Sequence, residues 1–241
     1  MYNAQDSINT TYNYIQGLRS SGHRYGSYPV YNVTKSDLEA LMKICDKYGI
    51  PFEWMVNLIN FESGRTFNPA IQNSIGATGL IQFIPSTAAD NCLNTSTAAL
   101  KQMSFKQQLA YVDKYLACNL KKHLNAAGKI PAHFTQADLF MTIFYPVAVG
   151  KPNYVFPPNV QNANAGISKP MEYAKKALAV SVFPLTVFPY ALADVKKKYG
   201  TVVYYVKRYR VIITVIGIIL LITAIVLFIY RKRVANYLVA A

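Results

Sequence analysis

The chain has 241 residues, of which 52% are hydrophobic and 15% are charged. This composition excludes an intrinsically disordered chain, and the length suits either one domain of ordinary size with an additional segment or two small domains. The net charge of +14 is uneven, because nine of the 25 Lys and Arg residues and none of the 11 Asp and Glu residues lie in residues 196–241. Most of the excess charge therefore belongs to the C-terminal tail, which argues against a basic nucleic-acid-binding domain.

The cysteines and histidines give no sign of a metal site. Cys45, Cys92 and Cys118 are widely spaced and odd in number. Their spacing fits neither a disulfide framework nor a zinc site, so we expect free, mostly buried thiols. The three histidines share no ligand spacing, and we predict no metal and no other cofactor.

The N-terminal residues are expected to form an arm that precedes the main domain and can lie over its surface. Residues 1–34 are rich in Tyr, Asn, Ser and Gly and show no sustained period, which predicts an extended or flexible arm. They lack the basic and apolar regions of a secretory signal peptide, and we expect none. Regular structure is predicted from Ser36 and Glu39, which have the spacing of a capping box, to Gly49.

A second helix is predicted from Pro51, and Gly64 is expected to stop it. Glu62 then lies at the end of an apolar helix, just before a turn. The rest of the domain, within residues 35–185, also reads as mainly α-helical. Its predicted segments are a loop at 64–87, helices at 104–124, 135–144 and 170–182, and a Pro/Asn-rich loop at 151–166.

Residues 211–230 form an uninterrupted apolar stretch of 20 residues without a charge. At about 1.5 Å per residue, a helix of this length spans a bilayer's hydrocarbon core, so we predict a single transmembrane helix. It is flanked by a basic juxtamembrane segment, 186–210, and a short basic tail, 231–241. Six Lys and Arg residues shortly precede the stretch and three follow it, which favours a cytoplasmic N-terminal domain. We expect these charges to contact anionic lipid, with nucleic acid as a weaker alternative.

Glu62 is the residue best placed for chemistry. It lies between Phe61 and Phe67 in a stretch with few charges. Desolvation there would raise the pKa of its carboxyl group, so that it could act as a general acid near neutral pH. Gln82 adds an amide that can bind an N-acetyl group or a sugar hydroxyl. The residues alone leave open a simpler interpretation, in which Glu62 is a solvated helix-end carboxylate and the glycines form ordinary turns.

The run around Glu62 resembles the signature of the soluble lytic transglycosylase family, of the type associated with phage virions. The signature lies over roughly residues 50–90, and the resemblance as a whole covers about residues 36–180. Ile81 stands where the family usually has Met, and Tyr145-Pro146 stands where it has Tyr-Asn. The residues that carry the resemblance are Glu62-Ser63, Phe67, Pro69, Gly76-Ala77, Gly79-Leu80, Gln82, Pro85 and Thr87-Ala88.

The resemblance implies a lysozyme-like, mainly α fold that cleaves the β-1,4 bond between N-acetylmuramic acid and N-acetylglucosamine in peptidoglycan. It implies Glu62 as the catalytic residue and Ser63, Gly79, Gln82 and Tyr145 as substrate-binding residues. Whether Ser63 orients Glu62 or caps the turn is open at this stage. Tyr145 is expected either to hydrogen-bond Glu62 or the sugar, or to be a core aromatic.

The acidic residues favour a mechanism with one carboxylate. Ordinary glycosidases place two carboxylates across the scissile bond. After Glu62, however, the next acidic residue is Asp90. We therefore expect Glu62 to act first as acid and then as base, closing a 1,6-anhydro ring without consuming water. Asp37, Asp46 and Asp138 are the distant acids that could still fold near the cleft.

Together these features predict a membrane-anchored lytic transglycosylase of a bacterial virus that opens the cell wall during genome entry. The expected location is the virion's internal membrane, and the host inner membrane during assembly. Its expected partners are peptidoglycan, lipid through residues 211–230, and other virion membrane or vertex proteins. The alternatives are a bacterial envelope enzyme, a structural virion membrane protein that only binds glycan or scaffolds, and a basic membrane protein that organises nucleic acid.

Overall fold

The computed structural model describes residues 4–183, and this part of the chain is mainly α-helical, as predicted. The predicted juxtamembrane segment 186–210, transmembrane helix 211–230 and tail 231–241 lie outside the described residues. Within residues 4–183, none of the helices has the length and apolar character needed to cross a membrane.

The described elements are nine α-helices, one two-stranded antiparallel hairpin and a short 3-10 turn. The hairpin pairs Arg24 with Pro29 and Tyr25 with Tyr28. In chain order the elements are α1 (Ala4–Ser20), β1 (Arg24–Tyr25), β2 (Tyr28–Pro29), α2 (Lys35–Tyr48), α3 (Phe52–Glu62), α4 (Pro85–Ala89), α5 (Thr97–Lys101), α6 (Phe105–Leu120), α7 (Gln136–Phe144), the 3-10 turn (Pro146–Ala148), α8 (Pro158–Ala163) and α9 (Pro170–Ala179).

The prediction of an extended arm at residues 1–34 is wrong for its described part. Residues 4–20 form α1, which packs against α2 and α3. Its buried face includes small polar residues, Ser7 and Thr11, beside Ile8 and Ile15. The Thr11 hydroxyl donates to the Ser7 carbonyl at 2.8 Å, and the Ser7 hydroxyl donates to Glu53 at 2.5 Å. Because these polar groups are satisfied, a helix of low hydrophobicity can be buried here.

The helix α2 forms where predicted, but its cap lies two residues earlier. Thr34 is the N-cap, and its side chain and that of Asp37 bond reciprocally to each other's backbone N–H groups. The expected Ser36–Glu39 box is therefore wrong in register. Gly49 ends the helix with a left-handed φ of 68°, as the sequence indicates.

The helix α3 is the central element of the domain, and it contacts α1, α2, α7 and α9. It begins after Pro51 and ends at Glu62, with Ser63 as its C-cap. Two buried amides on this helix hold the end of the described chain. Asn57 bonds the backbone of Val182 and Phe183, and Asn60 donates to the carbonyl of Val180 at 2.6 Å.

The later helices agree with the sequence analysis at their starts. Ser104 and Gln107 form the capping box of α6, and Thr135 and Asp138 form that of α7. The helix α6 ends at Leu120 rather than near residue 124. The short helices α4, α5 and α8 were not predicted as separate elements, because five or six residues are too few to show a helical period.

Two of the cysteines form a disulfide, so the expectation of free thiols is wrong for Cys92 and Cys118. Their Cα atoms are 6.5 Å apart, within the normal range for a disulfide. The bond joins the segment after α4 to α6, and Cys45 remains a free, buried thiol. Spacing in the sequence could not reveal this pair, because its members are 26 positions apart, with the whole of α5 and most of α6 between them.

Candidate active site

The end of α3 opens into a cleft of about 930 Å³. Residues from almost every part of the described chain line it, from His23 near the N-terminus to Val180 after α9. The polar and charged side chains in its walls are His23, Glu62, Arg65, Asn73, Gln82, Thr87, Asp90, Asn119, Asn164 and Lys176, together with the hydroxyl-bearing rings of Tyr25, Tyr115 and Tyr173.

Glu62 is the last residue of α3 and faces this cleft. Its carboxylate accepts a short hydrogen bond from the hydroxyl of Tyr173. Burial raises the pKa of Glu62 from an ordinary value of 4.5 to about 7, and the hydrogen bond from Tyr173 partly opposes this rise. A carboxyl group of this pKa is substantially protonated at neutral pH, which is the state that a general acid requires.

Tyr173 is held rigidly by aromatic neighbours. It lies on α9, is 4% exposed, and stacks on Phe144 with 4.2 Å between ring centroids. Phe61 contacts it edge-on at 5.4 Å. Burial and the neighbouring Glu62 carboxylate raise the pKa of Tyr173 well above its ordinary value, so its hydroxyl stays protonated and serves as a donor. Sequence reasoning missed Tyr173, which lies 111 residues from Glu62 along the chain.

The start of α9 is fixed by a carboxylate. Glu172 accepts hydrogen bonds from the backbone N–H groups of Ser168 and Lys169, at 2.5 and 3.1 Å, and from the Ser168 hydroxyl at 2.9 Å. These bonds lower the pKa of Glu172. Because Tyr173 follows directly, this cap helps to hold the hydroxyl that faces Glu62.

The structure places Ser63 in the turn after the helix rather than in the cleft wall. It is fully buried, and its hydroxyl oxygen accepts the backbone N–H of Phe67 at 2.9 Å. The Thr66 hydroxyl donates to the Ser63 carbonyl at 2.7 Å. The geometry therefore favours the turn-capping role for Ser63, and a direct contact with sugar is not available to it in this conformation.

Gly79 supports the cleft from behind. Its φ of +88° lies in the left-handed region, and a Cβ atom there would come within 2.3 Å of the Gln108 side-chain oxygen. Gln108 is completely buried; it accepts from Leu80 N at 2.6 Å and donates to the carbonyls of Pro69 and Leu100. Gly79 thus allows the loop to pack closely on Gln108. The sequence analysis did not identify Gln108, whose hydrogen bonds stabilise this loop.

Gln82 reaches the cleft as predicted. Its backbone is left-handed, with φ of 54°, and its amide nitrogen donates to the Gly79 carbonyl at 3.0 Å. This bond orients the side chain in the cleft wall. Its role in binding substrate stays a prediction.

Tyr145 is not one of the residues that line the cleft. It follows α7, and its ring contacts Tyr154 and Phe156 at 5.7 and 5.3 Å. A hydrogen bond to Glu62 was one of the alternatives expected for Tyr145; in the structure Tyr173 makes that bond. The neighbours of Tyr145 in the chain, Phe144 and Pro146, do line the cleft, but the Tyr145 ring itself packs against Tyr154 and Phe156.

Asp90 is the second carboxylate in the cleft lining. It is exposed, and one of its oxygens accepts the N–H groups of Cys92 and Leu93 at 2.9 Å. Asp37, Asp46 and Asp138 are not among the lining residues, and Asp138 is buried against Thr135 and Gly150. Residues 4–183 contain no cluster of three His, Cys, Asp or Glu side chains that could hold a metal ion.

Comparison with protein families gives a match for the part of the chain that contains Glu62. Residues 39–125, just over a third of the chain, match the family model described as Transglycosylase SLT domain. This segment contains Glu62, Gln82 and Asp90, and the family that it matches is that of the lytic transglycosylases, which are glycosidic bond lyases acting on bacterial peptidoglycan. Neither the curated proteins nor the solved structures that were compared with the chain gave a match.

The family match stops well before the end of the site. Tyr173 and the helix that carries it lie beyond residue 125, and His23 and Tyr25 lie before residue 39. The described cleft therefore combines the family segment with flanking residues on both sides.

Proposed function

We propose that this protein is a membrane-anchored lytic transglycosylase that cleaves the bond between N-acetylmuramic acid and N-acetylglucosamine and leaves a 1,6-anhydro product. The observation that supports it best is Glu62 itself. A single carboxyl group with a pKa raised to about 7 lies at the end of an apolar helix and opens into a cleft large enough for sugar rings. A group of this kind can serve both as acid and as base.

In the proposed reaction, protonated Glu62 donates its proton to the glycosidic oxygen as the bond to C1 of the muramic acid breaks. The substrate's own N-acetyl group shares the positive charge that develops at C1. The Glu62 carboxylate then takes the proton from the C6 hydroxyl, and that oxygen bonds to C1. The proton given to the leaving sugar is thus replaced from the C6 hydroxyl, and no water is used.

Tyr173 has a positioning role in this scheme. Its hydroxyl donates to Glu62 and so stabilises the carboxylate that forms after the first proton transfer. The buried Tyr173 ring also fixes the direction of the carboxyl group. Residues that hold such a group within about 0.5 Å of its working position affect the rate without touching the substrate.

Asp90 allows a direct test against a hydrolytic mechanism. A hydrolase would use Asp90 as its second carboxylate, whereas the proposed reaction needs Glu62 alone. We expect Glu62→Gln to lower peptidoglycan turnover about a thousandfold, and Asp90→Asn to change it by less than about threefold. An asparagine keeps the oxygen that accepts from Cys92 and Leu93, so the turn there is retained. A comparable loss in both variants would contradict the one-carboxylate mechanism.

Comparison of Glu62→Gln with wild type also tests the structural alternative, in which the domain only binds glycan or scaffolds. Glu62→Gln should still sediment with insoluble peptidoglycan as the wild type does, while its release of soluble fragments is lost. Wild-type protein that binds the wall material but releases nothing would support the structural role.

We further propose that residues 211–230 anchor the protein in the internal membrane of a bacterial virus, where the enzyme opens the wall during genome entry. The support is the 20-residue apolar stretch and its basic flanks. Partners in that membrane would be lipid and other virion membrane or vertex proteins. Detection in purified particles and in their detergent-extracted membrane fraction tests this; absence from particles overturns it.

The disulfide favours a second location. Disulfides persist in oxidising surroundings and are rare in the cytoplasm. Because Cys92 and Cys118 are bonded, the domain fits the outer side of a bacterial membrane at least as well as the cytoplasmic side that the flanking charges favour. A virion protein would form this bond after release from the host. Thiol labelling of the full chain in uninfected cells, infected cells and particles distinguishes these origins.

A further inference from the structure

The N-terminal hairpin, residues 24–29, forms part of the cleft although it lies outside the transglycosylase segment. Tyr25 of the hairpin and the preceding His23 line the same cavity as Glu62. Neither residue belongs to the matched range 39–125. Any role that they have in binding is therefore an addition to the family segment.

The hairpin is fixed to the turn that follows Glu62. The His23 ring nitrogen lies 3.1 Å from the Gly64 carbonyl oxygen, and the Asn68 amide donates to the Pro29 carbonyl at 3.0 Å. Just after the hairpin, the N–H of Tyr31 donates to the Thr66 carbonyl at 2.8 Å. Three bonds thus hold residues 23–31 in one position relative to the catalytic carboxyl group.

Tyr25 packs against the backbone of Gly64, two residues beyond Glu62. A Cβ atom at position 64 would lie 2.5 Å from the Tyr25 ring, so only glycine permits this close contact. Tyr25 nevertheless lines the cleft with 54% of the residue exposed. The two other tyrosines in the lining, Tyr115 and Tyr173, are 7% and 4% exposed.

An exposed aromatic ring at a fixed position in a cleft that also contains polar side chains has a specific use. One face of an N-acetylhexosamine ring carries mainly C–H groups, and an aromatic face offers a matching apolar surface of large area. Hydroxyl and acetamido groups at the edge of the sugar would meet polar neighbours such as Arg65, which lines the same cavity. Burying the ring under a sugar also removes exposed apolar surface from water.

We infer that Tyr25 is the aromatic platform of a sugar-binding subsite next to Glu62, contributed by the N-terminal hairpin and occupied by an N-acetylhexosamine ring of the glycan strand. This inference rests on the proposed function. It assigns Tyr25 to substrate binding rather than to the chemistry, and it gives residues 23–31 a direct part in the active site.

The test uses the full-length chain in detergent, carrying Glu62→Gln so that nothing is turned over, with a soluble pentamer of N-acetylglucosamine as the probe. We expect Tyr25→Ala to weaken binding about tenfold in calorimetry, the size of one well-packed aromatic contact. Tyr25→Trp should bind within about threefold of the parent. The matched control is Tyr111→Ala, which removes a half-buried tyrosine on α6 outside the cleft lining.

With Glu62 intact, Tyr25→Ala should raise KM for peptidoglycan about tenfold and change kcat less than twofold. Unchanged binding and KM in Tyr25→Ala, or an equal loss in Tyr111→Ala or Tyr25→Trp, would overturn the subsite. If wild-type protein with a normal melting curve neither binds the pentamer nor releases fragments, the proposed function fails and the subsite fails with it. Wild-type turnover that does not respond to Tyr25→Ala removes the subsite alone.

Discussion

The carboxyl group of Glu62 is subject to two opposing effects. Burial at the end of α3 disfavours its charge, and the Tyr173 hydroxyl favours it. Burial dominates, which leaves the pKa at about 7 instead of 4.5. The proton that begins the reaction is therefore available only up to near-neutral pH.

The pH profile follows from this pKa. We expect kcat/KM to fall as the pH rises through about 7, because free enzyme with ionised Glu62 cannot protonate the leaving oxygen. Tyr173→Phe removes the hydrogen bond that lowers the Glu62 pKa, so the falling limb should move upward by about one pH unit. Initial rates of peptidoglycan solubilisation between pH 5 and 9 measure both effects. If the falling limb of the Tyr173→Phe profile lies at the same pH as in wild type, or at a lower pH, the Tyr173 hydroxyl does not lower the pKa of Glu62.

The same raised pKa has a consequence for stability. Between pH 4.5 and about 7 the folded state holds a proton on Glu62 that the unfolded state has released. The part of the unfolding free energy that comes from protonated Glu62 is therefore lost as the pH rises from 4.5 to about 7. Glu62→Gln cannot ionise. We therefore expect its free energy of unfolding above pH 7, measured by denaturant titration, to exceed that of wild type by at most about 3 kcal/mol. Below pH 4.5 the difference should become small; a difference independent of pH would contradict the raised pKa.

At the scale of elements, the loop between α3 and α4 depends on one close contact. Gly79 and Gln108 meet so closely that no side chain fits at position 79. The buried Gln108 side chain on α6 accepts the N–H of Leu80 and donates to the carbonyl of Pro69, which holds the loop to α6. It also donates to the carbonyl of Leu100 near the end of α5. The position of Gln82 in the cleft follows from this arrangement, because its amide bonds to Gly79.

Substitution of Gly79 tests this contact with a control in the same chain. Gly128 has a similar left-handed φ of +70° but nothing within 4 Å of a Cβ atom. Gly128→Ala should therefore lose only about 1 kcal/mol of unfolding free energy, from backbone strain. We expect Gly79→Ala to lose about 2 kcal/mol more, from the clash with Gln108. Chemical denaturation of both variants gives the two values, and equal losses would show that the contact with Gln108 does not matter.

The sequence predicted those elements whose signals are local. Capping pairs marked α6 and α7, Pro51 and Gly49 marked the boundary between α2 and α3, and Glu62 was placed correctly at a helix end. The helix α1 was missed because Ser7 and Thr11 occupy buried positions where a sequence pattern looks for apolar residues. Their burial depends on bonds to Glu53 and to the helix's own backbone, which no pattern shows.

The residues of the candidate site also divide into those with a local sequence signal and those that only tertiary packing brings together. Glu62 and Gln82 were found because they belong to one continuous motif that reaches the cleft. Tyr173 and Tyr25 were not found, because tertiary packing alone brings them to Glu62 and Gly64 from opposite ends of the described chain. The assignment of Tyr145 followed a local motif, yet that ring packs against Tyr154 and Phe156 instead.

For the molecule as a whole, the disulfide ties one side of the cleft together. Cys92 follows Asp90, and Cys118 lies between Tyr115 and Asn119 on α6; Asp90, Tyr115 and Asn119 all line the cleft. Reduction would release the segment after α4 from this helix. The redox state of the surroundings can therefore influence both stability and cleft geometry.

We expect the double variant Cys92→Ser/Cys118→Ser to lose about 3 kcal/mol of unfolding free energy, through the entropy gained by its unfolded chain. Thermal unfolding measured with and without a reducing agent checks this. The reducing agent should lower the Tm of wild type toward that of the double variant and leave the double variant unchanged. Equal melting curves for wild type and variant under oxidising conditions would contradict a stabilising disulfide.

The most direct test of the whole account is the mass of the reaction products. Full-length wild type in detergent, and its Glu62→Gln variant, are incubated with purified peptidoglycan, and the soluble muropeptides are analysed by mass spectrometry. Transfer to the C6 hydroxyl predicts products lighter by one water than those of hydrolysis, absent with Glu62→Gln. Hydrated products would contradict the account and would assign the second carboxylate of a hydrolase, with Asp90 as the residue to examine first.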